Sequence, residues 1–370
     1  MDGLANGPLR DYLFPLSYQY HMHVSSSPTL EPRARQLLRT LISCYIQNGE
    51  PIGSKTLAQH AGLDISPATI RSILADLEEL GLLNSPHTSA GRVPTAHGYR
   101  MFVDSLVQMR PPSEDDIRRL RVEMVGGGTQ ALLGSASEIL SAMTHFVGVV
   151  SAPRREQFAF RHIDFVPLDA HQIMAILIFA DNEVQNRVIE PRRAYEPGEL
   201  ERVSNYLNAH FIGRTLADIR TTVLCELRKA KDEMEQLLAH SLDLASEMLV
   251  PKDGEDIVVA GQTRLMAVQD LSDIDRLREL FEAFASKREI LQLLERTIDA
   301  PGVRIFIGEE TGMVSMEDIS LVTAPYIAHG QVLGVLGVIG PKRMAYDRVI
   351  PLVEVAAQVL GTALEPPMVR

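Results

Sequence analysis

The sequence of 370 residues lacks tryptophan altogether, and aromatic residues make up only 5% of it. Its two cysteines, Cys44 and Cys225, are far apart and lack the spacing of a metal site, so we expect both to pack in the interior without a disulfide framework. No apolar run reaches the ~18–20 residues that cross a bilayer, and the start of the chain lacks a signal-peptide pattern. The expected location is therefore the cytoplasm, with no membrane partner.

Residues that would form a catalytic, cofactor or metal site are also scarce. Gly334, Gly337 and Gly340 recur inside an apolar run, whereas a phosphate-binding loop places its glycines at a strand-to-helix turn, so we interpret them as strand glycines that permit close packing. Glu309 and Glu310 have no neighbouring histidine or cysteine, and we interpret them as a solvated turn. We expect no catalytic residue, metal or cofactor, and hence no enzyme.

The net charge of −12 is unevenly distributed along the chain. Residues 1–110 contain nine basic and nine acidic residues, whereas residues 111–370 contain 27 basic and 39 acidic ones. An acidic body disfavours non-specific adsorption to DNA, so any nucleic-acid contact is expected in the neutral N-terminal part.

The segment 66–83 predicts one short helix and contains sequence signals for both of its ends. Ser66 suits the cap, Pro67 suits the first helical position, and Gly81 suits the left-handed turn that ends a helix. The three- and four-residue spacing predicts a buried stripe of Ile70, Ile73, Leu74, Leu77 and Leu80. The same spacing leaves a face of small and polar residues exposed, which suits a DNA groove: Ala68, Thr69, Arg71, Ser72 and Ala75.

The neighbouring segments complete a winged helix. An apolar helical pattern between Pro32 and Asn48 is followed by a two-turn helix that begins at Ser54, so three helices precede a predicted strand at 82–85. A turn-rich loop at 86–94 carries Arg92 and forms the predicted wing. The residues predicted to contact DNA are Ser54, Lys55, Ser66, Ala68, Thr69, Arg71, Ser72, Ser89, Gly91 and Arg92.

These motifs resemble the HrcA family of heat-inducible transcription repressors. The resemblance lies in the motifs at 53–57, 66–71, 77–83, 86–95 and 98–100, of which the wing motif at 86–95 is long and specific. It continues at 304–310 and 334–341 and covers roughly residues 30 to 364. It implies a bacterial repressor of chaperone operons that binds an inverted-repeat operator as a dimer. It also implies that activity depends on the GroE chaperonin.

The order of predicted elements indicates an α+β protein. Residues 1–30 lack periodicity and are predicted to be a disordered extension, within which translation starts at either Met1 or Met22. The winged domain is predicted at 31–110, with a linker from Arg110. Residues 111–195 are predicted to contain linker helices and then a first β-rich block, and residues 298–370 a second. The two blocks are predicted to form one sheet divided by a helical region at 196–297. The family resemblance implies that this sheet is a GAF-like domain and that the helical region is an inserted dimerisation domain.

The predicted insertion contains an apolar seam with alternating steps of three and four residues. Ala230 and Ser241 interrupt it, so two interpretations stay open: a dimer contact, or a helix that covers another part of the same chain. The apolar positions assigned to dimerisation are Leu227, Met234, Leu237, Leu244 and Met248.

Two other functions remain as alternatives. The first is a winged-helix repressor controlled by a small molecule in the GAF-like domain, and the second is an enzyme whose winged domain serves protein contacts.

Overall fold

The structure is a computed structural model of the chain. It describes residues 30–63, 65–86, 91–125, 128–153, 160–169, 172–179, 184–191, 194–214, 257–268, 271, 274–298, 302–328 and 330–365. Residues 1–29 of the extension predicted at 1–30, the dimerisation seam, Ser89 and Cys225 lie outside the described residues.

The N-terminal part forms the predicted winged helix. Its elements are α1 (Pro32–Asn48), α2 (Ser54–His60), α3 (Pro67–Glu79), β1 (Leu83–Asn84), β2 (Val93–Pro94) and α4 (Ala96–Met101), which runs into a π-helical turn at Phe102–Leu106. Strands β1 and β2 pair antiparallel, and Ile52 adds a third, single-residue bridge to Arg92. The predicted order of three helices, strand, loop and return is confirmed.

The ends of these helices follow from local sequence. Gly49 closes α1 with a left-handed φ of 74°, and Gly81 turns the chain after α3 with a φ of 71°. Ile70, Leu74 and Leu77 are buried as predicted, but Leu80 is 46% exposed. The prediction for Leu80 is wrong: Leu80 is the last residue with helical geometry, the chain turns at Gly81 directly after it, and the fold leaves nearly half of this side chain uncovered.

The remaining elements form a larger C-terminal body. The helices are α5 (Glu114–Glu123), α6 (Thr129–Thr144), α7 (Pro197–Phe211), α8 (Ile274–Ser286), α9 (Arg288–Ile298) and α10 (Tyr346–Ala363). The strands are β3 (Val147–Ser151), β4 (Phe160–Pro167), β5 (Ile173–Phe179), β6 (Val184–Ile189), β7 (Ile257–Ala260), β8 (Arg304–Ile307), β9 (Ile319–Ala328) and β10 (Gln331–Pro341). The predicted α+β class is confirmed.

The main sheet of the body is antiparallel, with strand order β7-β3-β10-β9-β8. Its two faces have separate apolar cores: α6 and α10 pack on one, and α8 and α9 on the other. Alternate residues of a strand therefore enter different cores, as Val149 and Val150 of β3 do. Leu280 of α8 and Leu293 of α9 are buried in the second of these cores.

The expectation of a single sheet divided by a helical region at 196–297 is wrong. Strands β4, β5 and β6 form a separate three-stranded sheet, onto which α7 packs. Within the region expected to be helical, β7 returns to the main sheet and pairs with β3, with Val149 opposite Val259. The main sheet therefore resumes at 257 rather than 298, and the first β-rich block contributes only β3 to it.

The winged helix and the body share a continuous apolar core. Buried residues of α1, such as Leu37 and Leu41, belong to the same cluster as Val353 and Leu360 of α10. The segment predicted as a linker is fixed at its start, since the backbone N–H of Arg110 donates to the Asp347 carbonyl at 2.9 Å. The two parts are thus docked on each other.

Candidate DNA-binding surface

Helix α3 presents an exposed stripe of small and polar side chains opposite its buried face. Ala68, Arg71, Ser72 and Ala75 are exposed and recur at steps of three and four residues, so they lie along one side of the helix. Within the described part of the chain, Arg71 has no ion-pair partner. A narrow helix face with one free guanidinium suits base edges in a major groove.

The start of α3 is fixed by its cap. The N–H of Thr69 donates to the Ser66 hydroxyl at 3.1 Å, and the two hydroxyl oxygens lie 3.0 Å apart. Both hydroxyls are exposed, but their mutual contact holds the first turn of the helix. Of the predicted contact residues on α3, Ser66 and Thr69 therefore also order the segment that carries Arg71.

Helix α2 precedes α3 in the helix-turn-helix. Ser54 is its half-buried first residue, and Gly53 rather than Ser54 is the cap. Lys55 is exposed and has no ion-pair partner among the described residues, so its ammonium group is free to contact phosphate.

The base of the wing is held by a close backbone approach. A Cβ atom added at Gly91 would lie 2.3 Å from the backbone carbonyl carbon of Ile52, in the bridge between that residue and Arg92. Packing alone therefore requires glycine at position 91, independently of the contact with DNA predicted for this residue.

Replacing Gly91 with alanine is expected to destabilise the protein by about 1–3 kcal/mol, because two backbone segments must separate to admit the methyl group. Thermal or denaturant unfolding measures the change. The matched control is Gly134→Ala in α6, where nothing lies within 4 Å of the added Cβ and helix propensity predicts a gain of up to about 1 kcal/mol. Equal stability of Gly91→Ala and the wild type would contradict this account of the wing.

Arg92 lies between the wing and the end of α3. Its guanidinium forms an ion pair with Glu78 at 2.8 Å and donates to the Ser85 hydroxyl at 3.1 Å, and the side chain is 25% exposed. As the structure has it, Arg92 fixes the wing against the recognition helix. Its predicted contact with the DNA backbone stays a prediction.

Sequence reasoning did not single out three exposed arginines on α1: Arg33, Arg35 and Arg39. None has an ion-pair partner in the described part of the chain. Two of them, Arg35 and Arg39, lie four residues apart on one flank of the helix. The four-residue spacing of Arg35 and Arg39 indicates a shared exposed face, but the stronger apolar pattern of the same helix indicates only its buried face.

The residues considered for catalysis have structural surroundings. Gly337 lies on β10 where an added Cβ would be 2.5 Å from the Val322 carbonyl oxygen, as expected for strand glycines. Glu309 and Glu310 are exposed in a short helical turn, as predicted, but Glu310 also forms an ion pair with Arg100, which the sequence did not indicate. Across the described residues, no group of histidine, cysteine and carboxylate side chains is arranged to hold a metal ion, and no helix is long and apolar enough to cross a membrane.

A helix-turn-helix with an exposed polar recognition face, followed by a β-wing, defines a winged-helix DNA-binding protein. Residues 29–106 match the family model for the winged helix-turn-helix transcription repressor HrcA, DNA-binding domain, and residues 130–350 match the HrcA protein C-terminal domain. The chain belongs to the HrcA family and is a transcription repressor with an N-terminal winged-helix domain.

Similar proteins span nearly the whole chain. The heat-inducible transcription repressor HrcA of Xylella fastidiosa strain M23 is 93% identical over 346 residues, which cover 94% of this chain and 99% of the relative. The protein of the same name from Xanthomonas euvesicatoria pv. vesicatoria strain 85-10 is 80% identical over 350 residues, or 94% of this chain and 100% of the relative.

A solved structure also shares the fold. A crystal structure at 2.2 Å resolution of a protein described as hypothetical superposes with a TM-score of 0.61 at 20% sequence identity. The superposition covers 91% of this chain and 99% of the other. At this identity the likeness concerns the fold alone.

Proposed function

We propose that this repressor binds an inverted-repeat operator upstream of chaperone operons as a homodimer, and that heat relieves repression. The observation that carries the proposal is the exposed stripe of α3, with Arg71 free and the wing base fixed beside it. One winged domain reads one half-site, so an inverted repeat requires two chains related by a two-fold axis.

Two further parts of the proposal rest on family membership. The GroE chaperonin is the proposed partner that maintains the operator-competent form, and the dimer contact is assigned to the seam containing Leu227 and Met234. The proposal also places the protein in the cytoplasm, without enzymatic activity, metal or cofactor.

Ligand control is the alternative within the same family of folds. Both faces of the main sheet are covered by packed helices, and Tyr326 of β9 is fully buried with its hydroxyl donating to the Ser151 carbonyl at 2.8 Å. This packing favours the chaperonin-dependent form of the proposal. A thermal-shift screen with metabolites tests the alternative, because a ligand that binds the native state raises the unfolding temperature.

The operator assignment is tested by footprinting the full-length protein on DNA upstream of the organism's own chaperone operons. We expect two protected half-sites of equal extent, related by inverted symmetry and about one helical turn or a multiple of it apart. A duplex with one half-site scrambled is the control and is expected to bind far more weakly. Protection of a single site, or of none, would contradict the proposal.

A further inference from the structure

The winged domain and the body meet at an arginine with an unusually complete set of contacts. Arg100 of α4 donates from Nε to Glu310 at 2.8 Å and from Nη2 to the other oxygen of the same carboxylate. Nη2 also donates to the Ile305 carbonyl at 2.6 Å, and Nη1 contacts Asp104 at 3.3 Å. The side chain of Arg100 is 20% exposed and that of Glu310 is 38% exposed, so this two-pronged pair lies at the edge of the junction, with its arginine side largely covered.

Glu310 holds the other side of the contact through the backbone. It follows β8, the outermost described strand at one edge of the main sheet, and accepts a hydrogen bond from the Ile307 N–H at 2.9 Å. Arg100 thus hydrogen-bonds to the carbonyl of Ile305, and Glu310 to the N–H of Ile307, both on the edge strand. These two bonds to the backbone fix the position of α4 relative to the sheet.

The arrangement of the two carboxylates, Asp104 and Glu310, depends on the positive charge of Arg100 between them. Burial raises the pKa of the Asp104 carboxyl, and the adjacent Arg100 acts in the opposite direction. Arg100 therefore separates a carboxylate of the winged domain from a carboxylate of the body. Without its positive charge, Asp104 and Glu310 would repel each other across the junction.

Other contacts limit the junction to a narrow range of angles. Arg343 donates to the Ile46 carbonyl at 3.2 Å, at the end of α1. The buried rings of Tyr99 and Tyr346 lie 6.2 Å apart. These contacts also join the winged domain to the body, and the Arg100–Glu310 pair is the one that joins α4 to the sheet.

We propose that Arg100 and Glu310 are positioning residues that set the angle of the winged domain on the body and thereby select the spacing of operator half-sites. The inference rests on the proposed function, because spacing has meaning only for a dimer on an inverted repeat. In such a dimer the separation of the two recognition helices is fixed by the angle at which each winged domain leaves the body.

The test measures affinity of the full-length protein for a series of inverted-repeat duplexes. Their half-sites come from the footprint, and their separation changes one base pair at a time. The wild type is expected to prefer one spacing, and Glu310→Gln is expected to reduce the affinity ratio between that spacing and its neighbours about fivefold or more. Binding to a duplex with a single half-site is expected to stay within about twofold of the wild type, because the recognition face is untouched.

The matched control is Glu123→Gln, which removes an exposed ion pair with Arg119 inside α5. That pair has an Nε–Oε1 distance of 2.9 Å but does not cross the junction, so the control is expected to keep the wild-type spacing preference. A second variant, Arg100→Gln, removes the same ion pair from the side of the winged domain and is expected to reduce the spacing preference in the same direction.

The outcomes separate the two proposals. If the wild type binds inverted repeats but shows no preferred spacing, or if Glu310→Gln and Arg100→Gln both keep the wild-type ratio, the positioning role is overturned while operator binding stands. If the wild type does not bind inverted repeats at all, the proposed function itself fails. Loss of single half-site binding in the folded variants would also overturn the positioning role, since it would place the defect in the recognition face.

Discussion

Replacing Arg71 with alanine is expected to weaken binding to the operator by about 1–3 kcal/mol, or roughly five- to 150-fold, with little loss on random DNA. Arg71 is exposed on the recognition helix and free of any ion pair in the described part of the chain, so its guanidinium is available for the two-pronged contact with guanine. Substitution at this exposed position leaves the buried face of α3 intact, so the change in affinity reports on recognition.

Lys55→Ala is the matched comparison for Arg71→Ala. Lys55 is also exposed and unpaired among the described residues, but it lies at the start of α2, where a charged side chain contacts phosphate. We expect Lys55→Ala to weaken specific and random duplexes alike and to reduce the slope of log affinity against log salt by about one unit. Titrations on both duplexes at several salt concentrations distinguish the two roles. Equal losses on operator and random DNA for Arg71→Ala would assign Arg71 to the backbone instead.

The recognition helix could be predicted from sequence because its determinants are local. Ser66, Pro67 and Gly81 define its ends, and the spacing of Ile70, Leu74 and Leu77 defines its buried face. Each of these signals acts within one or two turns of helix, so neither distant residues nor the rest of the fold is needed to interpret it. The spacing did not indicate how much of each side chain the rest of the fold covers: Ile73 is only half-buried, and Leu80 at the end of the stripe is 46% exposed.

The contacts of charged residues could not be predicted in the same way. Arg100 and Glu310 are far apart in sequence and meet only because α4 packs against β8. Glu310 is an exposed turn residue, and nothing in its neighbouring sequence indicates that it pairs with an arginine of the winged domain. Arg92 was expected at the DNA because of its place in a loop, yet it pairs with Glu78 of α3. An exposed charge and a paired charge have the same local pattern, and the tertiary fold decides between them.

For the same reason, the sequence did not predict which strands belong to which of the two sheets. Strand β5 is as apolar in sequence as the strands of the main sheet, but it pairs only with β4 and β6, and its residues alternate between buried and half-buried where β3 is buried throughout. The short β7 was hidden in a region of helical pattern, although it completes the main sheet beside β3. Periodicity predicts that a segment is a strand and which face it buries, whereas its neighbours depend on long-range packing.

Recovery of operator-binding protein from the denatured state is expected to depend on the chaperonin. The main sheet joins distant parts of the chain: Val150 of β3 pairs with Leu336 of β10, and Val149 pairs with Val259 of β7. Such pairing forms late in folding, because the chain between the two strands must first form a loop, and closing that loop costs conformational entropy. Strand β10, which is almost wholly buried in the native state, stays exposed in the meantime and is prone to aggregate.

The experiment refolds the full-length protein with and without GroE and ATP and measures how much operator-binding dimer returns. We expect severalfold greater recovery with the chaperonin and a decrease when a second unfolded protein is added as a competitor, because the two compete for the same binding sites. Protein that was never denatured serves as the control, and its operator affinity should not change when the competitor is added alone. Under heat the same competition would lower the supply of active repressor and release chaperone synthesis. Equal recovery with and without chaperonin, unaffected by the competitor, would disprove this control mechanism and leave the DNA-binding assignment of α3 intact.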